Sequence, residues 1–267
     1  MAQAWFVGVG INRFKFLSGN PLRGCGNDTK DCEAFGALMD GVDPLRSITL
    51  FDEQATAEAE LDVLGRACMD MAVDDVLFYQ HSSHGALLRD GDPESGVVCC
   101  YDFDNVKWDG TGGITADQYH KLFTASHGRI RWLGDHCHAG RMERDLCRPG
   151  LNHRFWPRDG IDVGFGFPRQ PHPMKAVVEA SPNVVALFAC DWNQTAADAL
   201  VAGRWNGAAT AYELTQRGAV GGLLIPATEL ARRTNVTLDA DGYDQRVQLV
   251  GDPGQLVLPF NPLQIAA

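Results

Sequence analysis

The chain has 267 residues, 45% of them hydrophobic and 21% charged, with a formal net charge of -11. This is enough apolar material for one large α/β domain or two small ones, and the negative balance argues against nucleic acid or an anionic membrane surface as partners. No apolar run reaches the roughly 18 residues of a membrane-spanning helix, and residues 1–5 lack the basic start and apolar core of a signal peptide, so a cytoplasmic setting is expected.

Residues 5–11 form a continuous apolar run, as in a parallel strand buried on both faces. A loop rich in Gly, Pro and Asn leads to Arg23-Gly24-Cys25-Gly26-Asn27-Asp28. There Asn27 or Asp28 is placed to cap a helix carrying Ala34, Phe35, Leu38 and Met39, with Gly41 closing it. Residues 47–51 read as a second strand. Thr56 then precedes a helix to about Met71, with Leu61, Leu64, Ala67 and Cys68 at helical spacing. A third strand over 76–80 runs into His81-Ser82-Ser83-His84-Gly85, and 97–101 is strand-like. Thr115 or Asp117 is a cap for a short helix through Tyr119, Leu122 and Phe123.

The fourth main strand, 129–133, delivers Gly134-Asp135-His136-Cys137-His138-Ala139-Gly140. Residues 141–182 have no clear period and read as a long irregular loop, basic at Arg141, Arg144, Arg148, Arg154, Arg158, Arg169 and Lys175. A fifth strand over 184–189 ends at Cys190-Asp191. Helices over 207–215 and 226–233 and late strands near 247–250 and 256–258 complete the chain. Strands alternating with helices predict one α/β domain over residues 1–267, a mostly parallel sheet with helices on both faces. In such sheets the functional loops gather at the carboxyl ends of the strands, where Cys25 to Asp28, Ser82 to His84, Asp135 to Cys137 and Cys190-Asp191 would meet.

A thiol acting as nucleophile must become a thiolate, and the leaving amine needs a proton; one positioned imidazole serves both needs. His84 is the strongest partner for Cys137, because Gly85 leaves the backbone open to a substrate carbonyl, with His81, His136 and His138 as competitors. The same imidazoles with Cys137 are zinc-ligand types, but their spacing matches no structural or catalytic zinc pattern. There is no G-x-S-x-G elbow, no third glycine after Val7-Gly8-Val9-Gly10 and no P-loop lysine. Asp28 and Asp135 are either local caps and ion-pair partners or two walls of a pocket selecting a Lys or Arg side chain. The eight cysteines suit reduced thiols better than a disulfide framework, with Cys32, Cys68, Cys99 and Cys100 in apolar or helical patterns typical of buried positions.

Ser82-Ser83-His84-Gly85 and Asp135-His136-Cys137-His138-Ala139-Gly140 resemble the S-G-H-G and D-x-C-x-S-G motifs of the caspase-like cysteine peptidases, most closely the metacaspase and orthocaspase group. The spacing from His84 to Cys137 is close to the about 50 residues seen in caspases. Leu22-Arg23-Gly24-Cys25-Gly26-Asn27-Asp28 is similar to the family's L-x-G-C-x-N-D loop. Cys190 to Asp198 is similar to its C-x-D-x-Q-T-A-x-[DE] stretch, with the acid shifted by one place. The resemblance implies a caspase-hemoglobinase-like three-layer α/β/α sandwich around a mostly parallel sheet of about six strands. It implies His84 as general base and acid, Cys137 as nucleophile, and the backbone amides of Gly85 and Cys137 as the oxyanion hole. It also implies a basic-residue pocket formed by Asp28 and Asp135 with Cys25 and Ser82 nearby.

Ser83 replaces the glycine before His84, Ala139 replaces a serine, and His136 stands where many members carry a second cysteine. The paired acids of the family's calcium site appear here as Ile114-Thr115-Ala116-Asp117, with one acid lost. Asp92, Glu94 and Asp145 are the remaining weak calcium candidates. No cofactor is required by the chemistry, and calcium is left open as an activator. The expected partner is a peptide or protein with a basic residue before the scissile bond; a monomer is favoured. The basic loop 141–182 is either a solvated surface or a self-cleavage substrate. The alternative function is a catalytically silent caspase-like module that binds or regulates.

Overall fold

In a computed structural model of the chain, the described residues are 2–16, 21–40, 42–87, 96–104, 107, 110–136, 151–153, 178–179, 181–191, 194–219, 225–251 and 257–258. Five parallel strands form the centre: β1 (Ala4–Gly10), β2 (Ser47–Phe51), β3 (Val76–Ser82), β7 (Arg129–Asp135) and β9 (Val184–Phe188). A sixth, β13 (Gln248–Val250), adds antiparallel to β9, giving the order β13-β9-β7-β3-β1-β2. The chain moves outward from β1 to β2 and then back past β1 to β3, β7 and β9. Right-handed crossovers therefore put the first helix on one face and the next two on the other.

On one face lie α1 (Cys25–Phe35), α4 (Ala208–Ala219) and α5 (Ala227–Ala240). There Cys32 packs with Phe6, Phe78 and Leu133, and Ala209, Tyr212 and Leu230 pack with Val185 and Leu187. On the other face, α2 (Ala57–Asp70) and α3 (Ala116–Ala125) lay Leu64, Ala67, Cys68, Tyr119 and Phe123 on Val7, Val9, Leu77, Tyr79, Ile130 and Trp132. The strands alternate strictly, even β3 residues facing one layer and odd ones the other, because successive strand side chains point to opposite faces. The result is the three-layer α/β/α sandwich with a mostly parallel six-stranded sheet that the sequence implies.

Small pieces surround this frame. Thr56 caps α2 by accepting from the Ala59 N–H at 3.2 Å, and Thr115 caps α3 with Gln118 reaching back, as the sequence predicts. By contrast, neither Asn27 nor Asp28 caps α1: the helix starts at Cys25 behind Gly24, and a single π-helical turn, Gly36–Asp40, follows it. β4 (Gly85–Leu87), β5 (Gly96–Cys99) and β6 (Gly113–Thr115) form an antiparallel sheet beside α2. The stretch after Asp191, to which the sequence assigned no element before the helix at 207, contains a hairpin of β10 (Ala197–Val201) and β11 (Arg204–Gly207). Its two-residue turn, Ala202-Gly203, has positive φ at both positions (49° and 83°), the primed turn whose twist matches the strands. The expected irregular loop 141–182 is corrected at one place: β8 (Leu151–His153) pairs antiparallel with β10. Apart from β8, Val178, Glu179, Ser181 and Pro182, that loop lies outside the described residues. A short pair of β12 (Ile225–Pro226) and β14 (Val257–Leu258) closes the chain's late part.

Candidate active site

The carboxyl ends of β1, β3 and β7 line up in register, Gly10 opposite Ser82 and Ser82 opposite Asp135. Backbone hydrogen bonds continue past these ends: Ile11 N–H donates to the Ser82 carbonyl at 3.0 Å, and Ser83 N–H to the Asp135 carbonyl at 3.4 Å. His84 follows Ser82 by two residues and so lies at this stretch of sheet edge, where the neighbouring strand ends at Asp135, two residues before Cys137 in the sequence. Cys137 itself lies outside the described residues, as do His138, Ala139, Gly140 and the calcium candidates Asp92, Glu94 and Asp145.

His84 is buried, its ring packed against that of Phe14 with centroids 5.0 Å apart. Phe14 arrives on the strap after β1, which Asp52 holds by accepting from the Asn12 and Arg13 N–H groups at 2.8 and 3.0 Å. The His84 carbonyl accepts from Cys99 N–H at 3.0 Å and from the Ser83 hydroxyl at 2.9 Å. With Gly85 opposite Val98, the Cys99 bond makes Gly85–Val98 a non-hydrogen-bonded pair of the ladder, so the Gly85 N–H points away from β5. That is the orientation an oxyanion donor needs.

Even-numbered β3 residues and odd-numbered β7 residues build a polar cluster on the α1/α4 face. Ser82 donates to Asp28 at 3.1 Å, and the same carboxylate receives Gly207 N–H at 2.9 and 3.1 Å and Asn206 Nδ2 at 3.2 Å. Asp135 Oδ2 accepts from the Thr210 hydroxyl at 2.6 Å and the Thr210 N–H at 3.2 Å. Both carboxylates are fully buried and converge on the amino end of α4, whose orphan N–H groups and dipole favour negative charge. Cys25 is buried at the start of α1, its N–H donating to Asn12 Oδ1 at 3.0 Å; a Cβ on Gly10 would stand 2.6 Å from the Cys25 carbonyl oxygen, so only glycine lets the helix approach the strand end this closely. Asp198, at the last acidic position of the Cys190 to Asp198 stretch, accepts from the Arg23 and Gly24 N–H groups at 2.8 Å each, tying the hairpin to the loop before α1.

Odd-numbered β3 residues build a second polar cluster on the α2/α3 face, which the sequence did not signal. Glu60 of α2 is fully buried; its Oε1 accepts from the Tyr79 hydroxyl and from the Tyr119 hydroxyl at 3.2 Å, and the two hydroxyls are 2.7 Å apart. Its Oε2 faces His81 Nε2 at 3.2 Å and the Cys100 thiol at 3.5 Å. Burial pushes the Glu60 carboxyl up, but His81, Tyr79 and Cys100 together outweigh it and leave it below its ordinary value. The carboxylate in turn adds to burial in pushing Tyr79, Tyr119 and Cys100 well up, so these stay protonated in the structure as it stands. The described cysteines are buried thiols outside any disulfide, and Cys32, Cys68, Cys99 and Cys100 lie in the core as their sequence patterns predict. Asp117 is exposed in the first turn of α3, away from any group of His, Cys, Asp or Glu side chains that converge closely. No helix among the described residues is long and apolar enough to cross a membrane.

No protein-family model matches the sequence, and no curated protein matches it. Solved structures do match the fold. Protein GSU0716 from Geobacter sulfurreducens superposes with a TM-score of 0.71 at 19% identity, over 97% of this chain and 98% of that one. Caspase-1 from Spodoptera frugiperda gives 0.59 at 11% identity over 94% and 88%, and pro-sf-caspase-1 gives 0.55 at 10% over 94% and 87%. Identities this low speak to architecture alone, and the architecture of this chain is caspase-like.

Proposed function

We propose that the chain is a cysteine endopeptidase of metacaspase type that cleaves after Arg or Lys. The observation that carries this reading is the strand-end register, Ser82 opposite Asp135, which brings the His84 turn and the residues leading to Cys137 to one edge of a caspase-like sheet. In this mechanism His84 takes the proton from the Cys137 thiol as the sulfur attacks the scissile carbonyl carbon. The oxyanion is received by the Gly85 and Cys137 N–H groups; His84 then protonates the leaving amine, and water hydrolyses the thioester to return the free thiol. Asp28 and Asp135, with Ser82 and Cys25 around them, give the α1/α4 side of this edge a concentrated negative charge suited to a guanidinium or ammonium group. The net charge of -11 favours basic substrates in the same sense. Reduced, buried thiols suit a cytoplasmic setting. Calcium enters this reading only as an activator, not as a reacting group.

A fluorogenic peptide series differing only in its residue before the scissile bond, Arg, Lys or Asp, tests it with and without Ca²⁺. Cleavage of the Arg and Lys members, lost in Cys137→Ala, is the expected result. Turnover that survives in Cys137→Ala, or no turnover by the wild type under either condition, overturns the peptidase reading in favour of a silent binding module. Preference for Asp would keep the peptidase and overturn the basic pocket.

A further inference from the structure

The cluster around Glu60 has a feature that an ordinary buried hydrogen-bond network does not need. Three donor atoms of three different elements converge on one point: Glu60 Oε2 from α2, His81 Nε2 from the end of β3, and Cys100 Sγ from the turn after β5, all within 4.8 Å of one another and all fully buried. The oxygen–nitrogen edge is 3.2 Å and the oxygen–sulfur edge 3.5 Å. A tetrahedral ion with bonds of about 2.0–2.1 Å to oxygen and nitrogen and about 2.3 Å to sulfur requires edges of about 3.4 and 3.6 Å. The His81 Nε2 stands 3.2 Å from Glu60 Oε2 without a well-formed hydrogen bond. A fully buried imidazole nitrogen thus stands among a carboxylate oxygen and a thiol at ligand-to-ligand distances.

The outer atoms are arranged to match. Glu60 uses its other oxygen, Oε1, for the Tyr79 and Tyr119 hydroxyls. His81 turns its other nitrogen, Nδ1, to the Ser83 hydroxyl at 3.4 Å, and that hydroxyl donates on to the His84 carbonyl. A metal-binding carboxylate and imidazole are held in this way: one atom inward, the other tied by an outer hydrogen bond that sets orientation and tautomer. His136 of the neighbouring strand lies on the same face, its ring centroid 5.8 Å from that of His81.

We propose that Glu60, His81 and Cys100 form a structural site for a divalent ion of the zinc class. The mixed carboxylate, imidazole and thiolate set suits zinc rather than calcium or magnesium, which take oxygen ligands. On binding, the Cys100 thiol releases its proton to solvent and the His81 proton resides on Nδ1, facing Ser83. The ion's two positive charges then cancel the carboxylate and the thiolate, and a water enclosed with the ion takes the fourth tetrahedral position. The ion would clip α2, the end of β3 and the turn after β5 together, and through Ser83 it would brace the turn carrying His84. Because the site is sealed, loading occurs as the chain folds.

The test refolds the full chain with Zn²⁺ or Co²⁺, removes loose metal, and measures metal per chain with the cobalt absorption spectrum. The expected result is about one ion per chain with a thiolate-to-cobalt charge-transfer band, lost in Cys100→Ala and His81→Ala and kept in Cys68→Ala. Cys100→Ser keeps a polar group of similar size where the alanine variant fails to fold, and it must also lose the band. Tyr119→Phe, which removes only an outer hydrogen bond, should weaken affinity by about 10-fold or more. A folded wild type that takes up no metal overturns the proposal. So does uptake that persists in the Cys100 variants, or uptake that disappears only when His84 and Cys137 are replaced, which would assign the ion to the sheet edge instead. None of these readouts depends on peptidase activity.

Discussion

Tyr79 and His81 leave β3 toward α2 and α3, whereas Gln80 and Ser82 leave it toward α1 and α4, and each pair meets a buried carboxylate. On the first side Glu60 comes from the first turn of α2 and is surrounded by aromatic rings, with Trp132 and Phe123 beside Tyr79 and Tyr119. Its partners are side chains: two phenols and a thiol that donate to it, and an imidazole 3.2 Å away. On the second side Asp28 and Asp135 meet the amino end of a helix, and their donors include the backbone N–H groups of Gly207 and Thr210. The difference teaches how one strand can serve two purposes. Side-chain donors can be exchanged for an ion, while backbone donors at a helix end lock an acid in place and orient its charge. Both clusters reach the last two residues of β3, His81 and Ser82, next to the turn that holds His84.

Replacing His84 gives the largest expected effect. His84→Ala should lower the cleavage rate of an Arg peptide by about 10²–10⁴, the range for a lost general acid–base group. A fall smaller than tenfold would mean that another imidazole carries the proton, and the sheet-edge register would lose its mechanistic meaning. Next comes Glu60→Ala, which strands His81 and two phenols in a sealed site and should cost about 3–5 kcal/mol in urea unfolding. If the loss is under 1 kcal/mol, the α2/α3 cluster is not the rigid half of the comparison.

Asp28→Ala removes the acceptor shared by Ser82, Asn206 and Gly207 and should cost about 1–3 kcal/mol, again read from urea unfolding. Asp135→Asn is the sharper variant on that face, because an amide oxygen still accepts from Thr210 while the charge is gone. Its stability should change by less than about 1 kcal/mol, while cleavage after Arg and Lys falls by about tenfold or more through KM. Equal losses in stability and activity would make Asp135 a helix anchor and nothing else.

The smallest effect concerns a thiol on the α2/α3 face. Burial lifts Cys68 from 9.0 to about 12. The folded state therefore keeps its proton where the unfolded chain has lost it. The stability this contributes is complete below pH of about 9 and is lost as pH rises toward 12, so unfolding midpoints should fall across that window more in wild type than in Cys68→Ala. Folded protein should also resist alkylation at Cys68, Cys99 and Cys100 near neutral pH, since burial pushes all three thiols up.

Much of this was legible before any coordinates. Continuous apolar runs marked β1, β3 and β9 because strands covered on both faces need apolar residues throughout. Thr56 and Thr115 announced their helices, since a cap is a local contact between residues three apart. The glycines and polar residues after the strands marked the functional edge because parallel sheets collect their loops there. The sequence by itself thus determined the layered architecture and the gathering of the Ser82 and Asp135 turns at one edge, which follow from short-range periodicity and the handedness of crossovers; the register that sets Gly10 opposite Ser82 and Ser82 opposite Asp135 came from the assembled sheet. Only the tertiary structure decided what the acids do. Asp28 looked like a cap for its own helix, yet it holds Gly207 of another element, 179 positions away. Glu60 looked like one more residue of an amphipathic helix, yet it meets Tyr79, His81 and Cys100 from two other elements. Such pairings depend on which surfaces come together after the sheet assembles, and a buried carboxylate takes whichever donors that packing supplies; no local pattern in the chain encodes them.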